Sequence, residues 1–306
     1  MLRLILLLLP VLMRAQTLAP RAYLITPVDS NAATLSTNIY NGAILFDSTV
    51  PITGASGNIV IFSPTFYHSL SFFGRSANIT AGLPYAVGTF EGKIVDQQEN
   101  LYRSGLGDGF VRFSVNLKGG PAMKVPQFLK WKQKRLLGVS LLVSVPTGQY
   151  DPTKLVNIGD NRWAFKPEFG YSERWGKWIL DAYAACWFFT PNPEFFSRNP
   201  YYPGTRSQSQ ESIGAFETHL SYDFKPRLWA SIDGNFWVGG ITSLNGIENP
   251  LTLQRNSRIG ATAAFPISRH QALKFSYANG AYIRFGGDYQ AITAAWQYSW
   301  IGRRIK

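Results

Sequence analysis

The sequence predicts an all-β fold: a transmembrane antiparallel up-and-down β-barrel of about twelve strands, an even number as bacterial barrels require. Three observations predict it. Apolar and polar residues alternate along nearly the whole chain, tight and long connections alternate between the segments, and the composition is poor in charge but rich in aromatics. Of 306 residues, 45% are hydrophobic, 15% aromatic and 16% charged, whereas a soluble domain carries about 25% charged residues. Such aromatic content excludes disorder. The single Cys186 excludes a disulfide scaffold and reads as a small packing residue. After the N-terminus no apolar run approaches the roughly 18 residues a spanning helix needs.

Period-two patterning carries the strands. In 292–300 one face reads Ile292, Ala294, Trp296, Tyr298, Trp300 and the other Thr293, Ala295, Gln297, Ser299. Phe216, Leu220, Tyr222 and Phe224 oppose Glu217, His219, Ser221 and Asp223; Val111, Phe113 and Val115 oppose Arg112, Ser114 and Asn116. A strand sorts such residues onto two faces, and a helix scatters them. The segments fall at 34–47, 58–73, 75–90, 107–119, 136–147, 162–175, 177–191, 212–225, 227–243, 256–268, 270–284 and 288–301. Each exceeds the roughly 9–11 residues that cross the hydrocarbon.

The ends and connections follow. Met1-Leu2-Arg3 and the apolar run to Met13 match a secretory signal, expected over 1–16. Its removal lowers the net charge from +12 to +10. A periplasmic N-terminal segment is expected at 17–33, the barrel at 34–302 and a basic tail at 303–306. Tight connections at Phe73-Gly74-Arg75, Gly176-Lys177, Pro226-Arg227 and Ser268-Arg269-His270 share the side holding both termini. Long ones, such as 91–106, 149–161, 192–211 and 244–255, lie opposite. Outer-membrane barrels have short periplasmic turns and long extracellular loops. The exception on the periplasmic side is the basic connection 120–135, read as a short amphipathic helix or as a solvated cap on the lower rim. A globular sandwich also alternates, but does not combine these loop lengths with a signal and an aromatic last strand.

Several motifs resemble the outer-membrane family of MetA-pathway phenol-degradation transporters. They are Leu83-Pro84-Tyr85, Gly105-Leu106-Gly107-Asp108, Phe189-Thr190-Pro191-Asn192 and, most specifically, the block from Pro146 to Glu168. Within these the family-motif positions are Gly107, Asp108, Pro146, Gly148, Tyr150, Asn157, Gly159, Asn161, Arg162, Trp163, Lys166 and Pro167. The resemblance implies an outer-membrane barrel linked to the breakdown of aromatic compounds. It supplies no substrate and no agreed binding residues.

The inventory of chemistry points away from an enzyme. A catalytic histidine needs a nucleophile and an orienting acid. Only His219 faces the lumen in company, with Glu217 and Ser221 two positions away on the same strand, too parallel and roughly 7 Å apart. No catalytic residue, metal ligand set or cofactor is therefore expected, and Gly105-Leu106-Gly107-Asp108-Gly109 lacks the lysine and helix of a phosphate loop. The expected lumen-facing residues are Arg112, Lys166, Glu168, Asp181, Glu217, His219, Asp233, Arg258, Lys274 and Arg284. They read as a paired network that also acts as an electrostatic filter. The loop aromatics Phe195, Phe196, Tyr201 and Tyr202 either fold into the mouth to stack on a solute or pack on one another and on lipopolysaccharide. The expected function is passive uptake of small hydrophobic or aromatic compounds across the bacterial outer membrane. The alternative is a non-conducting structural or surface-interaction barrel. Expected partners are membrane lipid, lipopolysaccharide, the solute and the barrel-assembly machinery; export excludes nucleic acid.

Overall fold

The computed structural model of the chain describes residues 19–45, 52–94, 97–198 and 203–302. The expected signal (1–16), the tail (303–306), Tyr201 and Tyr202 lie outside them. Outward residues such as Phe216, Leu220, Ile232, Ile259, Phe275 and Ile292 stand exposed around the wall, while their strand neighbours Glu217, His219, Asp233 and Thr262 are buried inside. This inversion is what a barrel with a lipid-facing exterior and a polar interior requires.

The strands run β1 (Ser30–Leu45), β2 (Ile52–Phe72), β3 (Arg75–Gly82), β4 (Tyr85–Ile94), β5 (Gln97–Leu106), β6 (Phe110–Lys118), β7 (Arg135–Ser144), β8 (Ala164–Trp175) and β9 (Trp178–Phe189). After β10 (Gln208–Gln210) come β11 (Ile213–Lys225), β12 (Leu228–Gly239), β13 (Thr242–Leu244), β14 (Ile247–Asn249), β15 (Gln254–Pro266), β16 (Gln271–Ile283) and β17 (Gly286–Ile301). All but β10, β13 and β14 form one antiparallel sheet, closed on itself by β1 against β17 from Ser30↔Ile301 to Leu45↔Gly286. β3 with β4, and β5 with β6, are each one crossing with an interruption, so the wall has twelve crossings. Closure leaves no edge for lipid to meet unsatisfied backbone.

Pro84 lacks an amide for the ladder, and the first interruption falls at Leu83-Pro84. The second, Gly107-Asp108-Gly109, lies beside it, with the Gly107 amide donating to the Pro84 carbonyl over 2.8 Å. Below these breaks β3 pairs with β6 and β6 with β7; above them β4 pairs with β5. The second edge of β5 meets no strand in the sheet order. The loop 145–163 lies there instead.

Three expectations change. The stretch 91–106, read as a loop, is the hairpin of β4 and β5 projecting beyond the barrel. The first strand starts at Ser30 rather than 34, and residues 19–29 run inside the lumen rather than in the periplasm. The basic connection forms only a four-residue helix, α1 (Val125–Phe128), and stitches back to the rim: the Ser76 amide donates to Gly120 O (2.9 Å) and the Arg174 amide to Lys134 O (2.8 Å).

Candidate functional site

The lumen is the site, and three layers build it. The first is a strap. Residues 19–29 cross the lower lumen from the β1–β2 side to β7–β11. At one end the Asp29 amide donates to Ser69 O (3.0 Å) and Thr26 Oγ1 meets the Tyr67 hydroxyl (2.8 Å). At the other, the Arg21 amide donates to Asp181 Oδ2 (3.1 Å) and the Ala22 amide donates to the Tyr183 hydroxyl (3.0 Å). The Arg21 guanidinium pairs with Asp223 (2.7 Å) and lies 4.2 Å over the Trp229 ring. Tyr23, 1% exposed, anchors the middle. Its ring fills a slot above the cross-strand pair Gly138↔Gly170, where any side chain would collide with it. Its hydroxyl donates to Glu168 Oε1 (3.0 Å) and lies 3.2 Å from the Ser140 hydroxyl.

The second layer is a belt of charge on the inner faces of β6 to β16. Arg112 pairs with Glu168 (3.2 Å), Lys166 with both Glu168 (2.9 Å) and Glu217 (3.3 Å), and His219 Nδ1 with Asp233 (2.9 Å). Ser231 and Thr262 donate to the two oxygens of Asp233 over 2.8 and 2.7 Å. Buried charge persists only when paired in this way. His219 Nε2 faces Glu217 Oε2 at 3.6 Å, so both ring nitrogens meet carboxylates and neither addresses a serine hydroxyl.

The third layer is the open wall. β1, β2, β16 and β17 turn short side chains inward, among them Ser36, Thr65, Ser276, Ala291, Thr293 and Ala295. A cavity of about 1580 Å³ remains along this wall. Its extracellular end is apolar: Tyr40 and Tyr289 pack edge to face with ring centres 6.2 Å apart, beside Ile59, Ile61 and Phe90.

Of the family-motif positions, Gly107, Asp108, Asn157 and Lys166 line the cavity. The motif block holds the loop across the free edge of β5. Buried Asp108 accepts the Gly148 amide (2.9 Å) on one oxygen and the Asp160 amide (3.0 Å) on the other. Gly148 and Gly159 approach so closely that a Cβ on Gly148 would stand 2.7 Å from Gly159 Cα. Asn157 caps the turn by accepting from the Asp151 amide (2.8 Å). Asn161 Nδ2 donates to Asn192 Oδ1 (3.0 Å), Asn192 Nδ2 to the Tyr150 hydroxyl (2.8 Å), and Arg162 to Gln210 (2.7 Å). Trp163 is exposed just before β8; Pro146 lies at the start of the loop and Pro167 within β8, opposite Leu141.

Of the expected lumen charges, Arg112, Lys166, Glu168, Glu217 and Lys274 line the cavity; Asp181, His219, Asp233 and Arg258 lie buried behind it. Arg284 is elsewhere. A bulge pairs Ser257 with Tyr282 but Arg258 with Gly280, and the extra residue reverses the parity of β16. Arg284 therefore emerges in the exposed turn after Ile283, where its backbone amide donates to Asn256 Oδ1 (2.8 Å). Phe195 is buried within its own loop, which folds on itself through the Phe195 amide to Arg206 O (2.9 Å); neither Phe195 nor Phe196 lines the lumen. The sequence reading missed Arg21, Tyr23, Gly138 and Gly170. The signal available was two glycines at inward positions of neighbouring strands, a gap awaiting a ring.

A closed antiparallel wall with an apolar exterior and a partly filled polar lumen defines a transmembrane β-barrel. The chain belongs to the family described as "Putative MetA-pathway of phenol degradation", whose model matches residues 47–297. Among solved structures it is similar to an outer-membrane channel from Pseudomonas putida F1, with 14% identity, a TM-score of 0.77, and coverage of 93% of this chain and 100% of that one. It is also similar to the β-domain of the Bordetella autotransporter Brka, at 10% identity, a TM-score of 0.52, and coverage of 89% and 100%. The transport unit of the autotransporter AIDA-I from Escherichia coli matches at 9% identity and a TM-score of 0.53, covering 95% and 94%. At these identities the likeness is one of fold. No curated protein sequence matches the chain.

Proposed function

We propose that the chain is a passive channel of the outer membrane for small hydrophobic or aromatic compounds, of the kind fed into phenol breakdown. The observation that carries this reading is the cavity of about 1580 Å³ along the short-side-chain wall, with an aromatic chamber at its extracellular end. Such a space, apolar with a few placed polar groups, fits a ring compound better than a hydrated ion. The paired belt sets one side of the path and the strap narrows its lower half. The clamped His219 favours transport over catalysis. Membrane lipid surrounds the wall; lipopolysaccharide at the loops and the barrel-assembly machinery are the further partners we propose.

A second reading, a structural or surface-interaction barrel, draws support from the strap and the belt, which together fill much of the lumen. Single-channel conductance of the refolded protein in planar bilayers separates the two. Steady conductance that phenol or benzoate blocks supports the channel. Silence from a demonstrably folded barrel supports the structural barrel.

A further inference from the structure

The aromatic chamber holds two polar groups that its own side chains leave unmet. Tyr40 on β1 and Tyr289 on β17 both line the cavity and are each only 4% exposed. Among the described residues neither hydroxyl makes a hydrogen bond, and neither oxygen is sealed from accessible space. A phenolic hydroxyl both donates and accepts, and leaving it unmet in apolar surroundings costs free energy. The surroundings here are apolar: Ile44, Ile59, Ile61 and Phe90 pack about the pair. Phe90 is seated by two glycines, since a Cβ on Gly88 would stand 2.9 Å from its ring and one on Gly57 3.2 Å from it. Arg258 is fully buried and lines no part of the cavity.

Below the chamber the wall offers the same chemistry in steps. Tyr40, Asn38, Ser36 and Thr34 share the inner face of β1, each roughly 7 Å from the next. Their partners on the flanking strands are neutral too. Thr293 donates to Asn38 Oδ1 (2.8 Å), Gln297 Nε2 to Thr34 Oγ1 (3.3 Å), and Ser36 to the Ser63 carbonyl (3.2 Å). A hydroxyl has one donor and two acceptor positions, so Thr34, Ser36 and Thr293 each keep capacity for a solute. Lys274 on β16 is the charged residue among the lining positions of β1, β2, β16 and β17.

We propose that the channel selects un-ionised ring compounds that carry a hydroxyl group. The ring sits against Phe90 and Ile59, its hydroxyl bonds to Tyr40 or Tyr289, and the solute then passes down the neutral wall from hydroxyl to hydroxyl. An ion entering the chamber would surrender its hydration and meet no lining charge there. A ring without a hydroxyl would leave the two tyrosines as they stand, unmet. The inference rests on the channel reading above and adds the solute's charge state and its hydrogen-bonding group.

Blockade of the open-channel current tests it, with the refolded full-length protein in planar bilayers at about pH 6, where phenolic hydroxyls are neutral and benzoate is ionised. The probes are resorcinol, its dimethyl ether and benzoate. Resorcinol should block at about tenfold lower concentration than either of the others, as two added hydrogen bonds allow. Tyr40→Phe with Tyr289→Phe keeps both rings and removes both hydroxyls. Because those hydroxyls tie no part of the wall, the open conductance should equal that of the parent. Resorcinol blockade should weaken about tenfold, to the level of the ether, while the ether itself is unaffected. If the double variant does not insert, the two single variants carry the test, and at least one should weaken resorcinol about threefold. Equal blockade by resorcinol and its ether, tighter blockade by benzoate, or a resorcinol preference that survives loss of both hydroxyls overturns the proposal and leaves the aromatic channel standing. An open conductance that none of the three blocks, or no conductance from a folded barrel, overturns the channel reading and this inference with it.

Discussion

Replacing Gly170 with valine should unseat the strap. A Cβ at this position would lie 2.6 Å from Tyr23 Cζ and closer still to its ring edge, whereas carbon atoms settle at about 3.5–4.0 Å. The ring has no room to retreat by the missing ångström, because Tyr183 packs against it at 5.3 Å and the Arg112 guanidinium lies over it at 5.1 Å. Tyr23 therefore leaves the slot. The loss is the burial of one aromatic side chain, about 2–3 kcal/mol, plus its hydroxyl hydrogen bonds, about 1 kcal/mol net. A total near 3–4 kcal/mol lowers the ratio of docked to undocked strap by about 10²–10³. Hydrogen exchange at the Arg21 and Ala22 amides reads that ratio directly, since both donate only while the strap is docked. Exchange there should accelerate by about the same factor, and bilayer conductance should rise. Unchanged protection of these amides in a folded Gly170→Val barrel would refute the reasoning.

Other perturbations separate the remaining parts. Asp108→Ala removes the acceptor for two loop amides, at about 1.5–3 kcal/mol each for bonds to a charged group; protease added outside intact cells should then cut within 145–160 where the parent resists. Lys166→Met leaves Glu168 and Glu217 short of a cation and should cost about 3 kcal/mol, seen as a lower melting temperature that the double variant with Glu217→Gln recovers. The Thr153 hydroxyl and amide and the Lys154 ammonium hold the Asp151 carboxyl down to about 2. A lowered value means that the turn gains stability above the ordinary carboxylate range and loses it as pH falls through about 2; chemical shifts of Thr153 should titrate there and not near 4. Arg284→Ala should leave conductance unaltered, because the side chain stands outside the lumen.

How far the sequence reveals the molecule depends on what each residue faces. Where one face meets lipid, as for Phe216, Leu220 and Ile232, alternation is strict and the strand is legible. The β5 end of the hairpin is exposed on both sides, so Gln97-Gln98-Glu99-Asn100 has no apolar face to reveal it. Arg284 follows the alternating rule until one bulge reverses it, and a bulge leaves little trace in composition. The belt was readable because inward charges sit on predicted strands. The strap was not: the partners of Arg21 and Tyr23 come from β7, β8, β9 and β11, and no local pattern records contacts more than a hundred positions away.

The strap has a mechanical meaning as well as an obstructive one. A ring of twelve hydrogen-bonded crossings fixes its circumference but not its outline, which can be round or flattened at little cost to the ladders. A chord tied to Ser69 on one side and to Asp181 and Asp223 on the other sets one diameter of that outline. Loosening it would both empty space and let the cross-section change shape. The perimeter presented to lipid, the separation of the belt from the short-side-chain wall, and the tension on the loop clasped by Asp108 would then shift together.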